Sequence, residues 1–206
     1  EVQVGRIAVL LGEGRTAEVL RNLCLQVHQN KPDAWMHIRD EIRRIFGVEL
    51  QPPERNVIRG SVELAYLQNG SELDLASAGR GMQQTLLLLA HLHANLGSVL
   101  LLDEPDAHLE ILRQREIYNL ITETARSTGS QIIAASHSEV VLNEAADKDV
   151  VIAFVGRPHR IDDRGSQVLK ALKEIGFEQY YQAELKGFVL YLEGATDLAI
   201  LRGFAR

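Results

Sequence analysis

Two short apolar segments, each ending in polar residues, most constrain the fold of this chain. Val99–Leu102 runs into Asp103-Glu104-Pro105, and Gln131–Ala135 runs into Ser136-His137-Ser138. A more polar stretch of helical length, from about His108 to Ser127, separates them. Short apolar strands that alternate with helices are typical of a parallel sheet with helices on both faces. The chain is therefore predicted to be an α/β protein.

For the rest of the chain the sequence predicts further helices, a hairpin and one more strand. Apolar residues at helical spacing predict a helix over Thr16–Gln29 and a second one that Asp33 caps. The Asn69-Gly70 pair predicts a hairpin between short strands. A helix over Gln83–Leu96 precedes the first apolar segment, and a further strand, Val150–Val155, is predicted after the second.

Composition excludes several classes of function. The net charge of -6 rules out a strongly basic nucleic-acid clamp, although a local basic groove stays open. The single cysteine, Cys24, cannot form an internal disulfide, which favours a reducing, cytoplasmic setting. No apolar run approaches the roughly 18 residues of a membrane span, so no membrane partner is expected.

The two strand ends predict chemistry at one edge of the sheet. In a nucleotide hydrolase, Asp103 would hold Mg²⁺ and Glu104 would polarise the attacking water. Parallel neighbouring strands would place His137 beside them, where it can hydrogen-bond a γ-phosphate or that water. The plainer alternatives are a strand that ends in an acidic turn and a histidine that is merely packed or capped.

A glycine-containing loop precedes the helix at Gln83. Glycines at positions 79 and 81 let backbone approach a phosphate, and the helix start offers unpaired N–H groups. Ser77 would add a hydroxyl group and Arg80 a positive charge to such a site. An ordinary glycine-rich turn is the alternative.

Taken together, these motifs resemble the ABC-type ATPase heads, and within them the AAA-like ATPases of the overcoming-lysogenization-defect (OLD) family. The resemblance covers Ser77 to Asn143 and implies ATP, Mg²⁺ and a homodimer formed through the heads. It implies that Asp103 and Glu104 are the Walker B pair and that His137 is the switch histidine. It also implies that Ser77, Gly79 and Gly81 serve the nucleotide of a facing subunit, and that Asp106 lies in a loop that communicates across the dimer.

A second acidic motif lies near the end of the chain. The apolar segment Phe188–Leu192 ends in Glu193-Gly194, and Asp197 follows four residues after Glu193. This resembles the first acidic motif of a Toprim domain, which in the OLD family follows the ATPase and carries nuclease chemistry. The resemblance implies that Glu193 is a metal ligand or base and Asp197 a second carboxylate, with a second divalent metal and DNA as substrate. An acidic turn with a helix cap is the alternative.

One expected motif is missing. A P-loop needs Gly-x4-Gly-Lys-Ser/Thr, and Leu11–Thr16 is glycine-rich but lacks the Gly-Lys pair. We therefore expect a fragment, the carboxyl-terminal half of an ATPase head. Its predicted parts are a helical lobe at 1–56, an ATPase core at 57–165, and at 166–206 linker helices with the first βα unit of a Toprim-like domain.

Three functions stay open on the sequence alone. The first is an ATP-gated DNA nuclease in the parent protein, which the OLD resemblance implies. The second is an SMC-like ATPase sensor or clamp without nuclease activity. The third concerns the 206 residues by themselves, which we expect to fold and dimerise without binding or hydrolysing ATP, because the P-loop is missing.

Overall fold

The computed structural model describes residues 16–146, 148–154, 158–160 and 203, and the chain divides into two compact units at Ala145/Ala146. The helices are α1 (Thr16–Asn30), α2 (Pro32–Phe46), α3 (Arg80–Ala94), α4 (Ile111–Ser127) and α5 (Glu139–Ala146). The strands are β1 (Glu49–Leu50), β2 (Glu54–Asn56), β3 (Ser61–Glu63), β4 (Ala65–Gln68), β5 (Ser71–Asp74), β6 (Val99–Asp103), β7 (Gln131–Ala135), β8 (Ile152–Ala153) and β9 (His159–Arg160).

The first two helices form where their apolar periodicity predicts them, but the predicted cap on α2 is wrong. Lys31 occupies the N-cap position without a side-chain hydrogen bond, and Pro32 opens the helix. Proline suits this place because its fixed φ is helical and its missing N–H would have no partner in the helix. Asp33 instead lies in the first turn, where its negative charge interacts favourably with the positive end of the helix dipole.

Between α2 and α3 the chain forms short antiparallel strands. The hairpin predicted at Asn69-Gly70 is confirmed, with Gln68 paired to Ser71 and both turn residues at positive φ. The segment around Leu64 does not form one continuous strand. It divides into β3, which pairs with β2, and β4, which pairs with β1 and β5.

Strands β6 and β7 are parallel, as the sequence predicts, and α4 connects them. Their register runs from Val99 opposite Gln131 to Asp103 opposite Ala135, so both strands end at the same level. Only one face of this pair is covered in the part of the chain that the structure describes. Leu100 is buried, whereas Leu101 on the other face is 76% exposed.

Two sequence predictions need correction after Asp103. The helix α4 begins at Ile111 and not near His108, because residues before it form a turn in which the Leu109 N–H donates to the Asp106 carbonyl at 3.0 Å. The strand expected over Val150–Val155 is short and does not pair in parallel. As β8 it pairs antiparallel with β9, because the short connection between the two strands favours a hairpin.

The core of the first unit lies between the helices and the antiparallel strands. Helix α3 contributes more buried side chains to it than any other element, and it packs against α1, α2 and α4. The Cys24 thiol is fully buried there, and this burial raises its pKa. The apolar side chains of this core include Leu23, Ile38, Ile42, Leu50, Leu86, Leu89 and Ile117.

None of the described helices is long and apolar enough to cross a bilayer.

Candidate functional site

The carboxyl end of β6 presents two adjacent carboxylates. Asp103 is the last residue of the strand, Glu104 follows it, and both are exposed. The Glu104 N–H donates to the Ala135 carbonyl at 2.8 Å, so hydrogen bonding to β7 continues past the strand end. The Glu104 carbonyl then accepts the N–H of Ala107 at 3.1 Å, and the chain turns. We refer to residues 104–109 as the acid turn.

The histidine that follows β7 lies against the acid turn. Nδ1 of His137 is 2.9 Å from Oε1 of Glu104. The two groups meet because the strands that carry them are parallel and end in register. The structure thus brings together two of the residues selected from sequence, at the sheet edge where ligands of α/β proteins bind.

Asp106 lies within the acid turn and is buried there. Its side chain is 5% exposed and its Oδ1 accepts a hydrogen bond from the Ser136 hydroxyl at 2.7 Å. Ser138 makes a similar link, because its hydroxyl donates to Oε1 of Gln114 at 2.7 Å. Both residues that flank His137 are therefore tied to the segment that follows β6.

The glycine loop, residues 77–81, lies at the N-terminus of α3. Ser77 ends a short 3₁₀ helix (Leu75–Ser77), Gly79 is the N-cap, and Arg80 and Gly81 begin the helix. The amide of Gln83 donates to the carbonyls of Leu75 and Ala78, which fixes the path of the loop. Ser77, Gly79 and Arg80 are exposed, whereas Gly81 is buried.

The first turns of α3 contact the acid turn directly. The Gln84 side-chain amide donates to the Pro105 carbonyl at 3.0 Å. Gly81 lies so close to the acid turn that a Cβ atom there would be 2.7 Å from the His108 carbonyl oxygen and 2.8 Å from Cδ2 of Leu109. The glycine loop and the acidic strand end, separate motifs in the sequence, are thus connected through one helix.

Sequence reasoning missed the residues that hold this arrangement together. Ser136, Ser138 and Gln114 make the contacts around His137, and Gln84 connects α3 to the acid turn. The serines could have been noticed because they flank His137 on both sides. The two glutamines carry no comparable local signal. Glu193 and Asp197 lie outside the described residues.

The donor set at the strand end suits a hard cation. Carboxylate oxygens are the ligands that Mg²⁺ prefers, and Mg²⁺ is often held by one or two carboxylates together with substrate phosphates. Among the residues described by the structure, no group of three or more His, Cys, Asp or Glu side chains is placed to hold a metal ion by itself. The exposed carboxylate of Asp103 is thus of the type that holds Mg²⁺ together with other ligands.

A protein-family model matches residues 19–143, about three-fifths of the chain. Its description is "AAA domain, putative AbiEii toxin, Type IV TA system". The match includes the glycine loop, the acid turn and His137. The chain belongs to this AAA family. It is thus an AAA-type ATPase domain, and its described site lies wholly inside the family match.

Other comparisons agree on the fold of this AAA domain. It is 28% identical over 131 residues to the taurine import ATP-binding protein TauB of Jannaschia sp. (strain CCS1), which covers 62% of the chain and 47% of TauB. The chain therefore spans about half the length of that curated relative. A solved SMC ATPase, from work on the ATP-driven dimerization and DNA-stimulated activation of SMC ATPases, superposes with a TM-score of 0.50 at 20% identity. That superposition covers 68% of the chain and 91% of the SMC structure.

The SMC head domain of Pyrococcus yayanosii, crystallised with a coiled coil and joint, gives a TM-score of 0.48 at 19% identity, over 73% of the chain and 32% of that structure. The superposition with the SMC ATPase at a TM-score of 0.50 shows that the AAA domain has an α/β fold like that of an SMC ATPase. The family match ends before Glu193 and Asp197.

Proposed function

We propose that the whole protein binds and hydrolyses ATP, and that this AAA domain supplies the catalytic groups at the edge where β6 and β7 end. The observation that carries the proposal is the 2.9 Å contact between Nδ1 of His137 and Oε1 of Glu104. Membership of an AAA family supports the choice of ATP as substrate. A nucleotide γ-phosphate at this edge would be within reach of both side chains.

Each residue then has a separate task. Glu104 accepts a proton from the attacking water or polarises it, since a carboxylate is a suitable general base when it lies within hydrogen-bond distance. His137 uses Nδ1 for Glu104, so Nε2 is the nitrogen that remains to contact the γ-phosphate. Asp103 would hold Mg²⁺, which neutralises negative charge on the phosphates when it is bound.

The glycine loop serves a second nucleotide in this proposal. Ser77, Gly79, Arg80 and Gly81 contact the ATP of a facing subunit, so that two heads form a homodimer around the nucleotides. The exposure of the first three residues and the uncapped start of α3 support this role. The SMC ATPase of similar fold is described as dimerizing in an ATP-driven way.

The decisive test is Glu104→Gln in the full-length protein. We expect kcat for ATP hydrolysis to fall by about 10²- to 10⁴-fold, the usual range when a general base is lost. ATP binding should persist, because the substitution keeps the size of the side chain and leaves Asp103 in place. Binding is measured by calorimetry and turnover by phosphate release.

Glu110→Gln is the matched control. It removes the same charge from an exposed side chain just after the acid turn, and Glu110 contacts only Arg113, at 3.8 Å, among the ion pairs of the described residues. This variant should keep wild-type turnover. Unchanged turnover in Glu104→Gln would remove Glu104 from the reaction.

A finer proposal concerns the whole protein. The OLD-like order of motifs supports an ATP-gated DNA nuclease, with a helical lobe at 1–56, an ATPase core at 57–165 and the start of a Toprim-like domain at 166–206. Glu193 and Asp197 would be its first metal ligands. Glu193→Ala should then abolish metal-dependent nicking of supercoiled DNA while ATP hydrolysis continues.

An SMC-like sensor or clamp without nuclease activity is the second candidate, and the fold resemblance to an SMC ATPase favours it. The nicking assay separates the two candidates. The absence of nicking by the wild-type protein would favour the clamp, whereas nicking that Glu193→Ala leaves unchanged would remove Glu193 from the cleavage reaction.

A further inference from the structure

We propose that Ser136 and Ser138 are positioning residues that hold His137 against Glu104, and that Asp106 and Gln114 anchor them. This role rests on the proposed ATP hydrolysis for its kinetic meaning, but the geometry exists without a nucleotide. The two hydroxyl groups flank His137 in the chain, and each donates a 2.7 Å hydrogen bond to the segment that follows β6.

Ser136 fixes the backbone on both sides of the histidine. Its hydroxyl oxygen accepts the N–H of Ser138 at 3.0 Å, which closes a small turn around His137. The same hydroxyl donates to Oδ1 of Asp106. Because Asp106 is 5% exposed, this bond ties the turn to a side chain that has little freedom to move.

Ser138 fixes the direction in which the chain leaves the site. Its carbonyl accepts the Leu142 N–H at 3.0 Å and its hydroxyl accepts the Val141 N–H at 3.3 Å, so it caps the start of α5. The hydroxyl also donates to Gln114, whose own amide donates to the Leu109 carbonyl at 3.2 Å. Ser138 is thus held by hydrogen bonds to α5 and, through Gln114, to the acid turn.

These anchors are needed because the pair that they position is exposed. The side chains of His137 and Glu104 are 78% and 49% exposed. An exposed ion pair or hydrogen bond is too weak to hold two side chains in a single geometry. The position of His137 must therefore be set by its backbone, and the two serines are the groups that restrain that backbone.

The first measurement needs no nucleotide. A carboxylate only accepts hydrogen bonds, so the contact with Glu104 requires a proton on Nδ1 of His137. In ¹⁵N-histidine spectra we expect the wild-type His137 ring to show a protonated Nδ1. Ser136→Ala and Ser138→Ala should each shift the ring towards a mixture of the two tautomers, while Ser136→Thr, which keeps the hydroxyl group, should retain the wild-type signal.

The second measurement is steady-state ATP hydrolysis by the full-length protein. Loss of alignment at a reacting group lowers turnover by about 10- to 100-fold. We expect Ser136→Ala and Ser138→Ala to lose kcat in that range, and KM for ATP to change by less than about threefold, since no contact with bound ATP is removed. Ser136→Thr should recover most of the kcat.

Ser130→Ala is the matched control, because it removes a hydroxyl group that hydrogen-bonds to Thr128 at 3.1 Å, before the start of β7. Circular dichroism reports whether each variant folds, and Ser138→Ala replaces Ser136→Ala if the latter does not. Wild-type kcat and a wild-type ring signal in the folded serine variants would overturn the positioning role. An inactive wild type, or an active Glu104→Gln variant, would instead overturn the proposed function, and the ring signal would still decide the positioning role.

Discussion

At the scale of single residues, the backbone of Glu104 is the most unusual feature of the site. Its φ is +46°, in the left-handed region that non-glycine residues rarely adopt. The sequence predicts where this carboxylate lies, because the end of an apolar strand is easily recognised. It does not predict the conformation, since no glycine or asparagine marks it. Strain of this kind is often found at functional positions.

A pair of substitutions at this position measures the strain. Both Glu104→Gly and Glu104→Ala remove the carboxylate, but only glycine adopts positive φ easily. Glu104→Gly should therefore be more stable than Glu104→Ala by about 1 kcal/mol in urea denaturation. At Glu116, an exposed position inside α4, the order should reverse, with alanine favoured by about 1 kcal/mol. If the alanine variant is the more stable one at both positions, Glu104 is not strained.

At the scale of elements, helix α3 connects the two halves of the candidate site. The alternation of strands and helices could be predicted because apolar periodicity is a local property of the chain. The contacts between elements could not, since Ser136 and Asp106 lie 30 residues apart and Gln84 and Pro105 lie 21 apart. The start of α3 also differs from the prediction, because the helix begins at Arg80 and not at Gln83. Gly81 therefore lies in the first turn, against the acid turn.

Gly81 should therefore be required for the fold as well as for any nucleotide contact. A Cβ atom there would be 2.7 Å from the backbone carbonyl oxygen of His108, which cannot rotate away. We expect Gly81→Ala to lower the free energy of unfolding by about 1–3 kcal/mol, as overpacking usually does. Gly79→Ala is the control, because its Cβ would have no atom within 4 Å, and it should lose less than about 1 kcal/mol. Equal losses would contradict a steric role for Gly81.

At the scale of the whole molecule, the first unit holds two half-buried histidines, His91 and His93, whose protonated forms the folded state disfavours. Burial lowers the pKa of His91 and of His93, and the nearby charges of His37 and Lys31 lower the pKa of His93 further. Nε2 of His93 is buried and finds no hydrogen-bond partner among the residues that the structure describes. A protonated imidazole there would be poorly solvated, so the folded state favours the neutral form.

This burial predicts how stability depends on pH. The unfolded chain protonates these imidazoles at their ordinary pKa of about 6.5, whereas the folded chain resists protonation to lower pH. Their contribution is therefore complete above about pH 6.5 and is lost as the pH falls towards the lowered pKa values. The His91→Gln/His93→Gln double variant should lose less unfolding free energy than wild type between about pH 7 and pH 5. Urea denaturation across that range measures the unfolding free energy of both proteins. If it changes equally with pH in the two, His91 and His93 do not cause the pH dependence.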